Sequence, residues 1–180
     1  SVSSTFNNKN VGTGKTVTVN SITLSDGSNG GVASNYSISS GQTTTANITA
    51  KALTVSGITA SNKTYDGNTV VTLDLTGTSY SGLVSGDDVS ISASGSFDNK
   101  NVGTGKTVNI SSSYSGSDVG NYSITDQATT TANITASVSG ITVRGITASN
   151  KTYDGNNSAT LDISNVSYSG LVEGDDVTGS

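Results

Sequence analysis

The sequence predicts an all-β chain made of small β-sandwich repeats that follow one another in an elongated array. Apolar residues alternate with polar ones along short segments, and clusters rich in Gly, Asn and Asp separate those segments. Long stretches of sequence also recur. No segment has the 3.6-residue period of an amphipathic helix. Six or seven short strands in each repeat favour an immunoglobulin-like sandwich, and a β-grasp-like repeat is the alternative.

Alternation marks the strands of one repeat in order. Each strand places its apolar residues on one face, while Ser, Thr, Asn and Asp fill the other face. The turn clusters YDGN, SGDD, NKNVGTG and SGSDVGN lie between the strands, because Gly adopts positive φ and Asn and Asp bond to nearby backbone amides. The apolar sets are Leu53 and Val55; Val71, Leu73 and Leu75; Val89, Ile91, Ala93 and Phe97; Val108, Ile110 and Tyr114; Tyr122 and Ile124; and Ala132, Ile134 and Ala136.

Internal repetition defines the domain organisation. GITASNKTYDGN occurs at 57–68 and again at 145–156, and SYSGLVSGDDV at 79–89 returns at 167–177 with one change, both 88 positions later. NKNVGTGKTV occurs at 8–17 and at 99–108. These shifts predict a complete repeat at 51–136, the C-terminal half of a repeat at 1–50 and the N-terminal half of the next at 137–180. We expect either a longer array or half-repeats that neighbouring chain segments complete.

The composition narrows the function classes. The 180 residues include no Cys, His, Met, Trp or Pro, which excludes the usual zinc, haem and iron–sulfur sites and the Ser-His-Asp triad. The net charge of −5 and the pI near 4.3 argue against a nucleic-acid partner. No apolar run reaches transmembrane length, so we expect no membrane insertion of this segment. No convergent acid and base set is visible, and we expect no enzyme.

The GTGKT within NKNVGTGKTV resembles a phosphate-binding loop but lacks its spacing. That loop needs a Gly five positions before the Gly of the Gly-Lys pair, and a helix after it. Lys9 and Lys100 occupy those positions, and the residues that follow alternate with the period of a strand. The motif therefore predicts a turn that leads into a β-strand.

The order of motifs resembles a known family. NKTYDGN, SGLVSGDDV, GSFDNKNVGTGKTV, GNYSI and TTTANIT follow one another as in the YDG repeat of large bacterial surface proteins, such as filamentous-haemagglutinin-like and other giant adhesins. The resemblance covers the whole repeat. It implies extracellular, all-β repeats that form stalks and have no catalytic residues. We therefore expect a structural spacer at the bacterial surface, and a ligand- or glycan-binding adhesin module is the alternative.

The expected partners are neighbouring repeats of the same protein, head to tail or in a homopolymeric filament. We expect Arg144, the only arginine, at a junction between repeats. Residues of the repeat signature are expected to shape turns and edges: Tyr65, Asp66, Gly67, Lys100, Asn101, Gly103, Asn121, Tyr122, Tyr153, Asp154 and Gly155.

Two kinds of chemistry could use the acidic turns. The paired carboxylates of the SGDD and EGDD turns are weak candidates for Ca²⁺, which takes six to eight oxygen ligands. They are Asp87, Asp88, Asp175 and Asp176. No other cofactor is expected. A covalent Lys–Asn cross-link beside a carboxylate is a further hypothesis, with its raw materials in Lys63, Lys100, Lys106, Asn121 and Asp66.

Overall fold

The structure is a computed structural model that describes residues 2–137 and 140–179, so the two predicted half-repeats are described without residues 1, 138, 139 and 180. In that part of the chain, regular structure consists of strands and two short 3-10 turns, Ala33–Asn35 and Val119–Asn121. The prediction of an all-β fold is confirmed, and the described residues contain no α-helix that could complete a β-grasp sheet. The strands are β1 (Val2–Phe6), β2 (Gly12–Ile22), β3 (Thr43–Ile48), β4 (Lys51–Ser56), β5 (Thr59–Ala60), β6 (Lys63–Thr64), β7 (Val70–Val71), β8 (Leu73–Asp74), β9 (Ser79–Ser81), β10 (Ser90–Phe97), β11 (Gly103–Ser115), β12 (Tyr122–Thr125), β13 (Thr129–Thr135), β14 (Thr142–Arg144), β15 (Thr147–Ala148), β16 (Leu161–Asp162) and β17 (Ser167–Ser169).

The chain divides into two compact units, and segments of the predicted complete repeat 51–136 contribute to both. The predicted half-repeat 1–50 lies in unit 1, and the half-repeat 137–180 lies in unit 2. A compact unit therefore combines residues of two successive sequence repeats. Unit 1 consists of Ser1–Gly57, Thr78–Ser92 and Ser112–Gln127, and unit 2 of Ile58–Gly77, Ala93–Ser111 and Ala128–Ser180.

Unit 1 contains two three-stranded sheets. In the first, β2 lies between β1 and β3 and pairs antiparallel with both. In the second, β4 lies between β12 and β9; it runs parallel to β12 and antiparallel to β9. Alternation places Leu53 and Val55 of β4 in the interior, where both are buried. Tyr122, the first residue of β12, is also buried.

Unit 2 contains most of a five-stranded sheet with the order β6-β13-β11-β10-β7 and a short ladder of β5 and β8. Strand β11 begins at Gly103, the first residue of GTGKT, so the predicted strand is confirmed, but the turn lies before the motif and contains no glycine. A cluster of buried side chains on the five-stranded sheet packs against partly buried Ala60 of β5 and Leu73 of β8, which gives the two layers of a small sandwich. The buried members are Val71, Phe97, Val108, Ala132 and Ile134.

A glycine lets the two layers of unit 2 approach closely. A Cβ on Gly95 of β10 would lie 2.7 Å from Leu73 Cδ2 and 2.9 Å from Val71 Cγ1, closer than side chains pack. The absence of a side chain at this position therefore makes room for Leu73 above the sheet.

The rest of unit 2 consists of two separate ladders, β14 with β17 and β15 with β16, both antiparallel. Their apolar residues are exposed: Val143 of β14 is 46% exposed, whereas Val55, at the same position of the complete repeat, is 2% exposed. None of the described residues lies in a helix long and apolar enough to span a membrane.

Candidate inter-repeat contact sites

The SGDD and EGDD turns present an aspartate in the same way in both copies. The Asp87 amide donates to the Val84 carbonyl, and the Asp175 amide donates to the Val172 carbonyl, each over 3.1 Å. The glycine before each aspartate has positive φ, 91° at Gly86 and 85° at Gly174. This conformation is cheap only for glycine. The turn therefore fixes where the first carboxylate of each pair lies.

In unit 1, Asp87 belongs to a cluster that we name the Lys9 site, formed by Lys9, Asp87, Asp118, Asn121 and Tyr122. The Lys9 ammonium lies 2.8 Å from Asp87 Oδ1 and 2.8 Å from Asp118 Oδ1. The Tyr122 hydroxyl donates to Asp87 Oδ2 over 2.6 Å. Asp118 is 8% exposed, and the outer part of Lys9 reaches water. One cation from residues 1–50 thus bridges two carboxylates of the following repeat.

Backbone groups complete the Lys9 site. The amide of Val11 donates to the side-chain oxygen of Asn121 over 2.9 Å. The amide of Asp88 donates to Asp118 Oδ2 over 3.1 Å. The first of these bonds joins residues 110 positions apart, so the turn that carries Lys9 is held by its backbone as well as by its charge.

The charges of the Lys9 site stabilise one another. Hydrogen bonds from Lys9 lower the pKa values of Asp87 and Asp118, and those with Asp118 and then Asp87 raise the pKa of Lys9. Desolvation, followed by the bond to Asp87, raises the pKa of Tyr122. All three ionisable partners of the ion bridge therefore stay charged, and the phenol stays neutral, over the physiological range.

Unit 2 contains a related cluster, which we name the Lys100 site, formed by Tyr65, Lys100 and Asp175. The Lys100 ammonium lies 2.7 Å from Asp175 Oδ1 and 5.9 Å from the centre of the Tyr65 ring. The Tyr65 hydroxyl lies 2.8 and 2.6 Å from the two carboxylate oxygens of Asp175. The hydrogen bond with Lys100, then that with Tyr65, lowers the pKa of Asp175.

The two sites are built from the same positions of the repeat. Lys9 and Lys100 are the first lysines of the two NKNVGTGKTV copies, and Asp87 and Asp175 are the first aspartates of the two GDD turns. In each site the lysine comes from one repeat and the aspartate from the next. The tyrosine differs: Tyr122 comes from the GNYSI segment and Tyr65 from the YDG turn.

The YDG turns have one geometry in both copies. Asp66 accepts from the Asn68 amide over 3.2 Å and lies 2.6 Å from the Lys63 ammonium, and Gly67 has a φ of 81°. In the second copy, Asp154 bonds to Asn156 and Lys151, and Gly155 has a φ of 77°.

The tyrosines of these two turns differ in their surroundings. Tyr65 packs against the core of unit 2 and reaches Asp175, whereas Tyr153 is 93% exposed. A Cβ on Gly67 would lie 2.9 Å from Val172 Cγ1, so the first turn also meets the following repeat, while nothing lies within 4 Å at Gly155.

The remaining signature residues shape the turn before β11. The Asn101 amide donates to Asn99 Oδ1 over 3.0 Å, and Gly103 begins β11 at a bulge in its pairing with β13. The Gly105 amide donates to Asn133 Oδ1 over 2.8 Å, so this amide of the GTGKT motif is occupied by the protein itself. Arg144 lies in exposed strand β14, where its backbone is opposite Ser167.

Three of the four aspartates proposed as calcium ligands accept hydrogen bonds from groups of the protein itself. Asp87 and Asp175 face lysine and tyrosine groups, and Asp88 Oδ2 accepts from the Ser117 amide over 3.1 Å. Asp176, the residue after Asp175, is exposed. Among residues 2–137 and 140–179, no three acidic side chains are grouped to hold a metal ion.

The cross-link hypothesis meets an electrostatic obstacle. Amide formation needs a neutral lysine amine, but Lys100 is held as an ammonium, its pKa raised mainly by its hydrogen bond with Asp175. Lys63 and Lys106, whose side chains are only 15% and 10% exposed, pair with Asp66 and Asp98. Asn121 bonds to the amide of Val11 and not to a lysine.

Lys9 and Asp118 belong to the Lys9 site, but the sequence did not predict them as site residues. Lys9 had a signal, because it occupies the same position as Lys100 in NKNVGTGKTV. Asp118 had a weaker one, since it lies in the SGSDVGN turn but has no counterpart in the first half-repeat, where Val32 stands three residues before the Asn of NYSI.

Comparison with known proteins gives the family. The profile of the YDG domain matches residues 1–46 and 49–132, which is well over half of the 180 residues. The searches of curated proteins and of solved structures each found no match. The matched ranges include all five residues of the Lys9 site. They also include Tyr65 and Lys100, two of the three residues of the Lys100 site. The chain belongs to the YDG domain family.

Proposed function

We propose that this chain is a structural spacer of an extracellular bacterial adhesin or surface fibre, in which tandem YDG domains transmit load along the chain. One observation carries the proposal: the same lysine of one repeat binds the same aspartate of the next repeat twice, at Lys9 with Asp87 and at Lys100 with Asp175. A contact that recurs with the period of the sequence is what joining repeats in series requires.

The geometry suits resistance to separation. Lys9 and Lys100 lie in short connections, Lys9 between β1 and β2 and Lys100 between β10 and β11, so the backbone fixes where each lysine side chain begins. Pulling two repeats apart would break a charged hydrogen bond from lysine to aspartate at each site, and at the Lys100 site it would also remove the Tyr65 hydroxyl from Asp175. The joint therefore combines charge, hydrogen bonding and a backbone bond such as that from Val11 to Asn121.

Composition and resemblance support the extracellular part of the proposal. The chain has no cysteine and is rich in Ser, Thr, Asn and Gly, as is common among bacterial surface proteins. The motif order resembles the repeats of giant adhesins. Protease added to intact cells that make this protein should remove the repeat from the cell surface, and protection of the repeat until lysis would contradict this location.

A ligand- or glycan-binding module is the alternative function. A hollow of about 230 Å³ in unit 1 is lined by Lys9, Lys51, Asp87 and Tyr122, the residue types that bind sugars. Three of these side chains are already bonded to one another, which leaves fewer free polar groups for a ligand. The spacer function is therefore favoured. Binding in a glycan array that is lost in a Tyr122→Phe variant would favour the alternative.

Single-molecule force spectroscopy tests the spacer function directly. The chain is held by its two ends and extended, and a load-bearing repeat should give discrete unfolding peaks. Lys100→Met should lower the unfolding force because it removes the inter-repeat charge while keeping a long apolar side chain. Lys151→Met is the matched control, since Lys151 pairs with Asp154 inside its own turn.

The control should leave the unfolding force nearly unchanged. If the chain instead extends smoothly like a disordered polymer, the spacer function is wrong. If both lysine variants lower the force equally, the inter-repeat pair is not the element that bears the load.

A further inference from the structure

The ammonium of Lys63, beside the first YDG turn, is surrounded by oxygen atoms of that turn. It lies 2.6 Å from Asp66 Oδ1 and 2.9 Å from Asn68 Oδ1. It also donates to the Asn68 carbonyl over 3.2 Å and to the Val70 carbonyl over 3.0 Å. We name these four oxygens the YDG cage. The cage is local, since all of its residues lie between positions 63 and 70.

The oxygens of the YDG cage suit a primary ammonium. A lysine ammonium carries one positive charge and three N–H donors. The cage offers one carboxylate and three neutral oxygens, so its charge balances that of one ammonium. The hydrogen bond with Lys63 lowers the pKa of Asp66, which keeps this carboxylate charged at neutral pH. Ca²⁺ takes six to eight oxygens, and with a single carboxylate it would leave an excess of positive charge.

Hydrogen bonds within the turn position the oxygens of the cage without the lysine. The Asn68 amide donates to Asp66 Oδ1 over 3.2 Å, and the Val70 amide donates to Asn68 Oδ1 over 2.9 Å. The backbone of Val70 is itself held in β7, opposite Ser96 of β10. The cage should therefore keep its shape when the lysine side chain is shortened.

The ammonium also connects the two edges of the five-stranded sheet. Strands β6 and β7 are the first and the last strands in its order, β6-β13-β11-β10-β7. Lys63 lies in β6, where its backbone is opposite Ile134 of β13, and Val70 lies in β7. The bond from Lys63 to the Val70 carbonyl thus links two edge strands that do not pair with each other in the described sheet. Edge strands without such protection invite pairing with other chains.

The second YDG turn contains the same cage. The Lys151 ammonium lies 2.8 Å from Asp154 Oδ1, 2.9 Å from Asn156 Oδ1 and 2.9 Å from the Asn156 carbonyl. The Asn156 amide donates to Asp154 Oδ1 over 3.2 Å, and the Ser158 amide donates to Asn156 Oδ1 over 2.9 Å. The cage therefore belongs to the sequence KTYDGN, which both copies share.

We propose that the YDG turn is a binding site for one primary ammonium ion and that the chain fills this site with its own lysine. The turn then requires the charge and the N–H donors of the ammonium, and not its covalent link to the lysine side chain. The link supplies a cation that cannot dissociate. This role is independent of the spacer function, because the lysine and the aspartate of the cage belong to one repeat.

Recovery of a lysine variant by free ammonium tests the proposal. Lys63→Ala removes the ammonium and leaves the oxygens, so it should lower the urea midpoint measured by circular dichroism. Ammonium chloride should restore part of the midpoint along a saturating curve, because the ion binds the folded turn. Ammonium at about ten times its dissociation constant would raise the folding equilibrium constant about tenfold. Tetramethylammonium chloride is the matched control, since it has the same charge but no N–H donor, and it should restore nothing.

Further variants separate the cage from a general effect of salt. Lys51→Ala, at an exposed position of β4, should respond equally to the two salts. Asp66→Asn added to Lys63→Ala should abolish the recovery, because the carboxylate is lost. If Lys63→Ala does not fold in buffer alone, folding on addition of ammonium chloride measures the same binding. Lys151→Ala repeats the measurement in a turn outside the five-stranded sheet.

Two results would overturn the proposal. One is the absence of recovery by ammonium in both lysine variants, or recovery equal to that in tetramethylammonium. The other is a larger recovery in calcium chloride at the same ionic strength, which would make the cage a metal site. Neither result changes the unfolding forces on which the spacer function depends.

Discussion

Residues 53–58 and 141–146 have almost the same sequence, LTVSGI and ITVRGI, and opposite surroundings. Both form a strand with the same antiparallel partner residues, followed by a glycine of positive φ, 88° at Gly57 and 85° at Gly145. In the first copy, Val55 and Ile58 are buried; in the second, Val143 and Ile146 are about half exposed. Local sequence therefore determines the strand and the turn, and segments distant in the chain determine burial.

The same separation holds at the YDG turns. Each turn is closed by its own lysine, aspartate and asparagine, so both copies have one geometry. The two turns differ in their contact with the following repeat. Asp175 and Val172 contact the first turn, whereas Tyr153 of the second turn is exposed. Matched substitutions in the two copies therefore measure the contribution of the contact alone, since the chemistry of the change and the local structure are the same.

The largest effect is expected for the pair Ile58→Ala and Ile146→Ala. Loss of a fully buried isoleucine should lower the free energy of unfolding by about 2–5 kcal/mol, because a cavity adds to the lost burial. Ile146→Ala, at a half-exposed position, should lower the free energy of unfolding by at most about 1 kcal/mol. Urea unfolding followed by circular dichroism measures both, as the chain has no tryptophan. Equal losses at the two positions would show that burial in the two copies is the same.

A smaller difference is expected for Gly67→Ala and Gly155→Ala. Both substitutions place a Cβ in a left-handed conformation, which costs about 1–2 kcal/mol. Gly67→Ala should cost about 1 kcal/mol more, because its Cβ would lie 2.9 Å from Val172 Cγ1. The difference between the two variants, measured by thermal unfolding, isolates the contact with the following repeat. A Gly67→Ala, Val172→Ala double variant should remove that difference.

The smallest effect on stability is expected from lowering the pH. The pKa values of Asp87, Asp118 and Asp175 lie below the ordinary 3.8 because a lysine hydrogen-bonds to each. In the unfolded chain these carboxyls take up protons first as the pH falls. Their contribution is therefore complete above about pH 3.8 and is lost as the pH falls through the lower folded values.

Amide hydrogen exchange in β12 and in β17 compares the two units under acid. The Lys9 site should lose protection more steeply than the Lys100 site, because two of its carboxylates take up protons and the other site has one. An Asp118→Asn variant should make the two acid responses alike. If the protection factors of these amides do not change below pH 3.8, the ion pairs do not hold the repeats together.

Much of the fold could be predicted from the sequence because its signals are local. Alternation located strands such as β10 and β13, and the strand expected after the turn of NKNVGTGKTV is present, although it already begins at Gly103 and includes all of GTGKT. The family was also identified from motif order. Which strands pair with one another could not be predicted. The pairing of β12 with β4, for example, joins residues about 70 positions apart and leaves no pattern in the sequence.

The candidate site shows the same limit at the level of single residues. Lys100 and Asp175 were each singled out, but nothing in the sequence says that they touch across 75 positions. Asp118 has no repeated counterpart, so repetition could not mark it. Charge pairs of this kind become visible only when the two turns are placed in space.

The division of each sequence repeat between two compact units has a genetic consequence. Deletion or duplication of one whole period of the coding sequence keeps the order of these positions, wherever within the period the change begins. Since both contacts between repeats in the described residues use the same lysine and aspartate positions, the lengthened or shortened gene would encode the same contact. The number of repeats can thus change without a new contact between them.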